Sequence, residues 1–264
     1  MLEFSSITVA HNWKSIRVKP LESKTALVTG AAGTMGLAAT RFLLEDGARV
    51  AMVDLDAGRM HELARGWHGE LVFVAADISD AKAVAAAHAR IATEFGAVDI
   101  LVNNAGILSN NKLEATSEAE WRRVLGVNLD GAFHWSQAVL PGMKARKWGR
   151  IINVSSLAAK TGGLTAGTAY SVSKGAMSAL TFSLARESAA YGVTVNAISP
   201  AYVRTPMVTE GLDDAQRAAI LATIPVGRFC EPDEFAHVVR FLASPLAGFI
   251  TGEIVDINGG LLMD

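Results

Sequence analysis

A tyrosine and a lysine four residues apart give this sequence its clearest chemistry. A helix that begins near Tyr170 places Tyr170 and Lys174 on one face, one turn apart. A free phenol has a pKa of about 10 and exchanges protons poorly at neutral pH. A neighbouring ammonium favours the phenolate and lowers that pKa. The pair therefore predicts proton transfer to or from a carbonyl or alcohol oxygen.

A serine arrives beside this pair from an apolar strand. The run Ile151–Val154 has the composition of a buried strand, and Ser155 and Ser156 follow it directly. Ser156 is the expected donor of a hydrogen bond to the substrate oxygen. A tyrosine, a lysine and a serine supply a proton relay, but a redox reaction also needs a cofactor.

A glycine-rich turn near the start of the chain predicts a site for a dinucleotide. Strand Thr25–Thr29 leads into the turn, and a helix to about Asp46 follows it. The turn consists of Gly30, Ala31, Ala32, Gly33, Thr34, Met35 and Gly36. Glycines at this point permit a tight turn and let backbone N–H groups approach a pyrophosphate. Taken alone, the turn is equally compatible with a purely structural role.

An acidic residue at the next strand end favours the cofactor interpretation. Asp54 follows strand Arg49–Val53, at the distance expected for an acid that binds the adenine ribose hydroxyls. A carboxylate there repels a 2′-phosphate, and neither Gly33 nor Leu55 offers a cation to hold one. We therefore predict NAD rather than NADP. The alternative is that Asp54 only caps the following helix.

Two further strand ends carry candidates for the same site. Asp77 and Ile78 follow the third strand and are expected to meet the adenine. The fourth strand is followed by Asn103, Asn104, Ala105 and Gly106. Small residues there let the chain pass close to a flat ring, although Asn and Gly also simply build turns. Ligands bind at the carboxyl ends of strands in open α/β sheets, so these candidates converge.

The elements that carry these residues alternate along the chain. Strand-like runs begin near residues 25, 49, 71, 100, 151, 193 and 254, and helical stretches separate them. Longer helices are expected at Gly58–Arg65, Ala81–Phe95, Glu118–Leu140, Tyr170–Tyr191 and Pro232–Leu242. This order predicts an α/β fold with one Rossmann-like, doubly wound parallel sheet of about seven strands and helices on both faces. We expect one domain over residues 21–264, an N-terminal extension over 1–20 and a mobile lid over about 200–223.

Composition excludes several classes of function. The formal net charge is −2 and no basic stripe is present, so nucleic acid is not an expected partner. The single cysteine, Cys230, fits a reducing compartment, and we expect a cytoplasmic protein. No apolar run of about 18 residues predicts a membrane helix. The histidines His61 and His68 lack the spacing of a zinc protease, and no metal is expected.

As a set, these motifs resemble those of the classical short-chain dehydrogenases/reductases. The matching residues are Thr29-Gly30…Gly36, Asn103-Asn104-Ala105-Gly106, Asn128, Ser156, Tyr170, Lys174, Asn196–Pro200 and Asn258–Gly260. The resemblance covers roughly Thr25 to Gly260. It implies a nicotinamide cofactor and, usually, a homotetramer.

The resemblance also implies a role for each matched position. Tyr170 is the general acid/base, and Lys174 binds the nicotinamide ribose and lowers the pKa of the tyrosine. Ser156 orients the substrate oxygen, and Asn128 supports a water that links the lysine to solvent. The segment from Pro200 contributes to the cofactor site, with Val203 and Thr205 holding the nicotinamide carboxamide.

Three departures from the family pattern stand out. Thr34 occupies the place of the middle glycine of the turn, with Gly33 one position earlier. Ala201 replaces the glycine that commonly follows the proline. The gap from Ser156 to Tyr170 is one residue longer than the commonest spacing, so Ser155 stays a lesser alternative to Ser156, because adjacent strand residues point to opposite faces.

The expected activity is interconversion of a secondary alcohol and a ketone with NAD(H). The chain end Asp256–Asp264 and the glycines Gly162 and Gly163 favour polyol or sugar-derived substrates. The alternative within the family is a reductase of 3-oxoacyl thioesters or apolar ketones. A rival from another class is a dinucleotide-binding assembly protein without activity. The presence of all four family catalytic residues argues against that rival.

Overall fold

The computed structural model describes residues 19–210 and 213–263, so most of the N-terminal extension expected over residues 1–20 lies outside the described chain. Seven strands form one sheet. They are β1 (Thr25–Thr29), β2 (Arg49–Asp54), β3 (Leu71–Ala75), β4 (Ile100–Asn103), β5 (Gly149–Val154), β6 (Val193–Pro200) and β7 (Ile254–Ile257).

All neighbouring strands of the sheet are parallel, in the order β3-β2-β1-β4-β5-β6-β7. The order reverses direction between β1 and β4, and this is the switch point at which such sheets bind ligands. Every residue of β1, β4, β5 and β6 is buried, because helices cover both faces. The predicted Rossmann-like, doubly wound fold is confirmed.

Ten helices connect the strands within the described residues. They are α1 (Thr34–Glu45), α2 (Ala57–Leu63), α3 (Ala81–Phe95), α4 (Glu118–Leu125), α5 (Gly131–Arg146), α6 (Ala158–Thr161), α7 (Thr168–Ser188), α8 (Pro206–Thr209), α9 (Asp214–Thr223) and α10 (Pro232–Ala243). None of the helices in this part of the chain is both long and apolar enough to cross a membrane.

Two hydrophobic cores lie on opposite faces of the sheet. One packs α1, α2 and α10 against the strands, with Leu43, Met60 and Phe235 fully buried. The other packs α3, α5 and α7, with Ile91 and Trp135 fully buried. Each face therefore contributes its own apolar layer, and the carboxyl edge of the sheet stays free for a site.

One predicted helix differs from the sequence expectation. The stretch Glu118–Leu140 was expected to be a single helix, but α4 and α5 are joined by a π-helical turn over Gly126–Asp130. The helix also continues to Arg146, past Pro141. Proline in a helix removes one hydrogen bond, and here the packing of α5 against the core outweighs that loss.

Candidate active site

A cleft of about 640 Å³ lies at the carboxyl edge of the sheet. It contains every residue that the sequence assigned to the cofactor. These are Gly30, Gly33, Thr34, Met35, Gly36, Asp54, Leu55, Asp77, Ile78, Asn104, Ala105, Gly106, Tyr170, Lys174, Pro200, Val203 and Thr205. Ser156 lines the same cleft, whereas Asn128 lies just behind it. Residues distant in sequence thus meet where β1, β2, β4, β5 and β6 end.

The glycine turn leaves room that any side chain would fill. Gly30 has a φ of +64°, and a Cβ there would lie 2.7 Å from the Cα of Ala105. A Cβ on Gly36 would lie 2.2 Å from the carbonyl oxygen of Gly30. No side chain caps the first turn of α1, which begins at Thr34, so its backbone N–H groups stay open to the cleft. These features fit a pyrophosphate.

Asp54 holds the glycine turn through one of its carboxylate oxygens, and the other accepts a bond from its chain neighbour. Oδ2 accepts a hydrogen bond from the backbone N–H of Ala32 at 2.9 Å, and Oδ1 accepts one from Leu55 at 2.7 Å. The helix-capping role belongs to another residue, because Asp56 accepts the N–H of Arg59 at 3.0 Å. The alternative of Asp54 as the cap of α2 is therefore wrong.

The polar side chains at two other strand ends form turn bonds and also line the cleft. The side chain N–H of Asn104 donates to the carbonyls of Thr29 and Gly30, at 2.9 and 3.1 Å, and ties β4 to the glycine turn. Asp77 accepts from the backbone and the hydroxyl of Ser79. Asn104 and Asp77 also line the cleft, so their turn bonds do not exclude the cofactor contacts that the sequence predicts for them.

Tyr170 and Lys174 share one face of α7, as their spacing predicted. The Nζ of Lys174 lies 5.8 Å from the centre of the Tyr170 ring. Lys174 is only 3% exposed and donates to the carbonyl oxygen of Val154 at 2.7 Å. No carboxylate of the described residues pairs with it, and burial lowers the pKa of its ammonium to about 8.

The sequence-based expectation for the phenol was wrong in direction. Burial raises the pKa of Tyr170 above its ordinary value of 10.0, and only a hydrogen bond with Ser156 acts to lower it. The buried ammonium of Lys174 is not among the causes. Desolvation disfavours the charged form of both groups, so it raises the pKa of the phenol and lowers that of the amine.

The two serines at the end of β5 have different partners. Both serines line the cleft, but Ser156 bonds to Tyr170 and accepts the N–H of Ala158 at 3.2 Å. The hydroxyl of Ser155 donates to the carbonyl of Lys174 at 2.9 Å, on α7. Ser155 is therefore committed to holding α7 against β5, and the geometry favours Ser156 as the residue that meets a substrate.

Asn128 lies in the π-helical turn and is fully buried. Its Oδ1 accepts the N–H of Ile107 at 2.8 Å, and its Nδ2 donates to the carbonyl of Ile107 and to Ser173, both at 3.0 Å. A Cβ on Gly106 would lie 3.3 Å both from Oδ1 of Asn128 and from Nζ of Lys174. Asn128 thus positions the β4 loop directly against the lysine.

A lysine that sequence reasoning missed joins the two loops on the substrate side. Lys112 donates from Nζ to the carbonyls of Gly163 and Ala166, at 2.9 and 2.7 Å. The N–H of Gly167 donates to the carbonyl of Ser109 at 2.7 Å. These bonds fix the longer loop between Ser156 and Tyr170. Nothing in the local sequence around Lys112 indicates them, because they span more than 50 positions.

Further side chains line the cleft. They are Arg59 and Leu108, for which sequence reasoning found no signal, and Val208 of the expected lid. Arg204 pairs with Glu231 at 2.8 Å, so it does not face the cleft as a free cation. Among the residues that the structure describes, no three His, Cys, Asp or Glu side chains group closely enough to hold a metal ion.

Comparisons with known proteins agree with this geometry. The family model described as enoyl-(acyl carrier protein) reductase matches residues 30–262. The 3-oxoacyl-[acyl-carrier-protein] reductase FabG of Vibrio harveyi is 42% identical over 245 residues, which cover 92% of this chain and 99% of the relative.

Two solved structures have the same fold. One is a protein of Agrobacterium tumefaciens proposed to be a gluconate dehydrogenase, with a TM-score of 0.88, 32% identity and coverage of 94% and 99% of the two chains. The other, from Beutenbergia cavernae, is proposed to be an NAD(P)-dependent gluconate 5-dehydrogenase. It has bound NADP at low occupancy, a TM-score of 0.85, 36% identity and coverage of 92% and 98%. Together with the relative and the matching motifs, they show that the chain belongs to the classical short-chain dehydrogenase/reductase family of nicotinamide-dependent oxidoreductases.

Proposed function

We propose that this protein reduces the ketone of a 3-oxoacyl thioester or a similar apolar substrate to a secondary alcohol. The observation that carries this proposal is that the segments after β4 and β6 bring apolar side chains to the cleft, namely Leu108, Pro206 and Val208. The carboxylates of the cleft, Asp54 and Asp77, lie instead at the ends of β2 and β3. A polyol needs hydrogen-bond partners for several hydroxyls, and an acyl chain needs apolar contacts.

The comparisons favour the same choice. Relatives similar to this chain include reductases of 3-oxoacyl-[acyl-carrier-protein] from Vibrio harveyi and Thermotoga maritima. The expected leaning to polyols rested on the glycines Gly162 and Gly163 and on the chain end, and it gains support only from the proposed gluconate activities of two solved neighbours. The reductase alternative therefore replaces it as our main proposal.

The chain's own residues would supply the proton and the alignment. Tyr170 gives its phenolic proton to the carbonyl oxygen, and Ser156 donates a hydrogen bond to the same oxygen. When bound, the nicotinamide supplies the hydride that the carbonyl carbon accepts. One hydride and one proton convert the ketone into the alcohol. Lys174 and Asn128 position Tyr170 and return a proton to it from solvent.

The raised pKa of Tyr170 supports the reductive direction. A phenol whose pKa is raised stays protonated at neutral pH, and protonated is the form from which ketone reduction starts, although the raised pKa also makes it a weaker acid. Oxidation of an alcohol needs the phenolate, which burial disfavours. For the cofactor we propose NAD(H) as the preferred form, because Asp54 ends β2 and lines the cleft, and a carboxylate at that strand end is expected to bind the ribose hydroxyls and to repel a 2′-phosphate.

The assembly and location stay part of this proposal. Phe133 on α5 and Phe182 on α7 are about half exposed, at 45% and 52%. Large apolar side chains on neighbouring helices support the homotetramer that the family resemblance implies. The single cysteine supports a cytoplasmic location, and residues 21–264 are proposed as one catalytic domain with a lid over about 200–223.

A substrate panel tests the activity. Oxidation of NADH, followed by its absorbance, is measured with acetoacetyl-coenzyme A and with an apolar cyclic ketone. The reverse reaction is measured with gluconate and with mannitol. We expect kcat/KM for the thioester to exceed that for either polyol by at least about tenfold. Faster turnover of a polyol would overturn the proposal. Tyr170→Phe protein serves as the blank in every assay.

A further inference from the structure

Two charged side chains outside the cleft link the segment after Ser156 to the edge of the sheet. The Nζ of Lys160, on α6, lies 2.5 Å from Oδ2 of Asp256, on β7. The two side chains are 23% and 20% exposed, so water screens this ion pair less than it screens a fully exposed one. Neither residue lines the cleft. The pair can therefore influence the reaction only through another residue.

Ser156 is the residue that connects the pair to the cleft. Its hydroxyl oxygen accepts the N–H of Ala158, the first residue of α6, at 3.2 Å. Its carbonyl oxygen accepts the N–H of Ala159 at 2.9 Å. A hydroxyl that accepts a bond from α6 keeps its own proton for donation. The position of α6 therefore sets the direction in which Ser156 donates.

The helix α6 is too short to hold its own position. It spans the four residues Ala158–Thr161, and a helix of this length is unstable in isolation. The chain just before it is attached to the end of β6, because the N–H of Leu157 donates to the carbonyl of Pro200 at 2.9 Å. The bond from Lys160 to Asp256 adds an attachment to β7 from within the helix.

Stability alone does not account for this ion pair. The Oδ1 of Asp256 is buried and has no hydrogen-bond partner in the part of the chain that the structure describes. A buried carboxylate oxygen without a partner costs free energy, and two apolar side chains of similar size would avoid that cost. A costly contact next to a reacting group is typical of a functional role.

We propose that the ion pair between Lys160 and Asp256 holds α6 in the position that points the hydroxyl of Ser156 at the substrate oxygen. This rests on the proposed function, since it concerns the hydrogen bond that Ser156 supplies in the reaction. Lys160 and Asp256 are then positioning residues, because neither touches the substrate. A small displacement of a catalytic donor is enough to slow a reaction strongly, while cofactor binding stays unchanged.

Substitutions of the pair supply the first measurement. Lys160→Met and Asp256→Asn should each lower kcat about tenfold and leave KM for the cofactor unchanged. The double variant should lose no more than either single variant, since the two residues act as a unit. Lys160→Arg keeps the charge and should retain most of kcat. As a control, Lys144→Met removes a lysine outside the cleft that pairs with Glu187 at 3.6 Å, and it should not change kcat.

The same substitutions in Ser156→Ala protein decide between positioning and a general effect on the fold. Without the hydroxyl, Lys160→Met should lower kcat by a further factor of about two at most. A further tenfold loss in this background, or no loss in the native background, would overturn the proposal.

Two additions keep this comparison decisive. Thermal unfolding shows which variants are folded at the assay temperature, and Asp256→Asn, which preserves the shape of the side chain, replaces Lys160→Met if the latter is not. If the 3-oxoacyl thioester is not reduced, the activity proposal fails. The comparison is then made with the ketone or alcohol of the substrate panel that is converted, because Ser156 would contact the reacting oxygen in either direction.

Discussion

Replacing Lys174 by methionine should stabilise the protein at neutral pH while removing its activity. The ammonium is 3% exposed, pairs with no carboxylate of the described chain, and has its pKa lowered from 10.5 to about 8. Each pKa unit equals about 1.36 kcal/mol, so burial of this charge costs the folded state about 3 kcal/mol below pH 8. The variant also loses the hydrogen bond to the carbonyl oxygen of Val154, and this loss lowers its stability by about 1 kcal/mol. The expected net gain at pH 7 is about 2 kcal/mol.

The sign of the pH dependence follows from proton counting. Between pH 8 and 10.5 the unfolded chain holds a proton on Lys174 that the folded chain has released. Stability of the native protein therefore rises with pH across this window, and the full penalty remains below it. Lys174→Met lacks this rise. The advantage of the variant should shrink from pH 8 upward and vanish or reverse near pH 10.5.

Urea unfolding at pH 7, 8, 9 and 10 measures this difference. Protein concentration is held fixed and no cofactor is added, because an assembly or a ligand shifts apparent stability. The decisive quantity is the free energy of unfolding of the variant minus that of the native protein at each pH. Lys82→Met, at an exposed lysine of α3, should leave this quantity independent of pH. A constant difference for Lys174→Met would refute the argument from burial.

Two further predictions concern turnover. Tyr170→Phe should lower kcat about 100-fold or more and leave cofactor affinity intact, because the phenolic oxygen serves proton transfer. Turnover is measured beside a titration of cofactor binding, and appreciable residual turnover would contradict the role of Tyr170. Lys112→Met should raise KM for the ketone about tenfold, without changing KM for the cofactor, since two charge-assisted bonds that hold the loop are lost. Lys112→Arg should restore most of the loss, and a fall in kcat alone would argue against a positioning role.

The sequence predicted the sheet well because its signals are local. β1, β3 and β7 begin and end where the runs of β-branched and apolar residues do. α3 matches its expected range, and Asp80 caps its start. Each of these elements is fixed by its own composition and by the residues at its ends.

The departures arise where tertiary contacts decide the local structure. The π-helical turn around Asn128 depends on bonds to Ile107 and Ser173, which lie 21 and 45 positions away. No periodicity records such partners. The short helices α6 and α8, of four residues each, are below the length at which a pattern is visible. The contacts of Lys112 were missed for the same reason.

Some features of the candidate site were also predictable from the sequence, and others were not. Positions at strand ends were predictable, since parallel strands bring their carboxyl ends to one edge, and all the expected cofactor residues line one cleft. The direction of the pKa shift of Tyr170 was not predictable from the sequence. A sequence shows that Lys174 is near, which favours a lower pKa, but it does not show how deeply both groups are buried.

Burial reverses the order in which Tyr170 and Lys174 lose their protons as the pH rises. In water a phenol and an ammonium titrate within about half a unit of each other. In this fold the amine has a pKa of about 8 and the phenol one above 10, so rising pH removes the proton of Lys174 before that of Tyr170. The phenol thus keeps its proton at every pH at which the lysine is charged. A tyrosine held in that state suits donation to a ketone oxygen, which is the direction that the apolar cleft and the reductase relatives also favour.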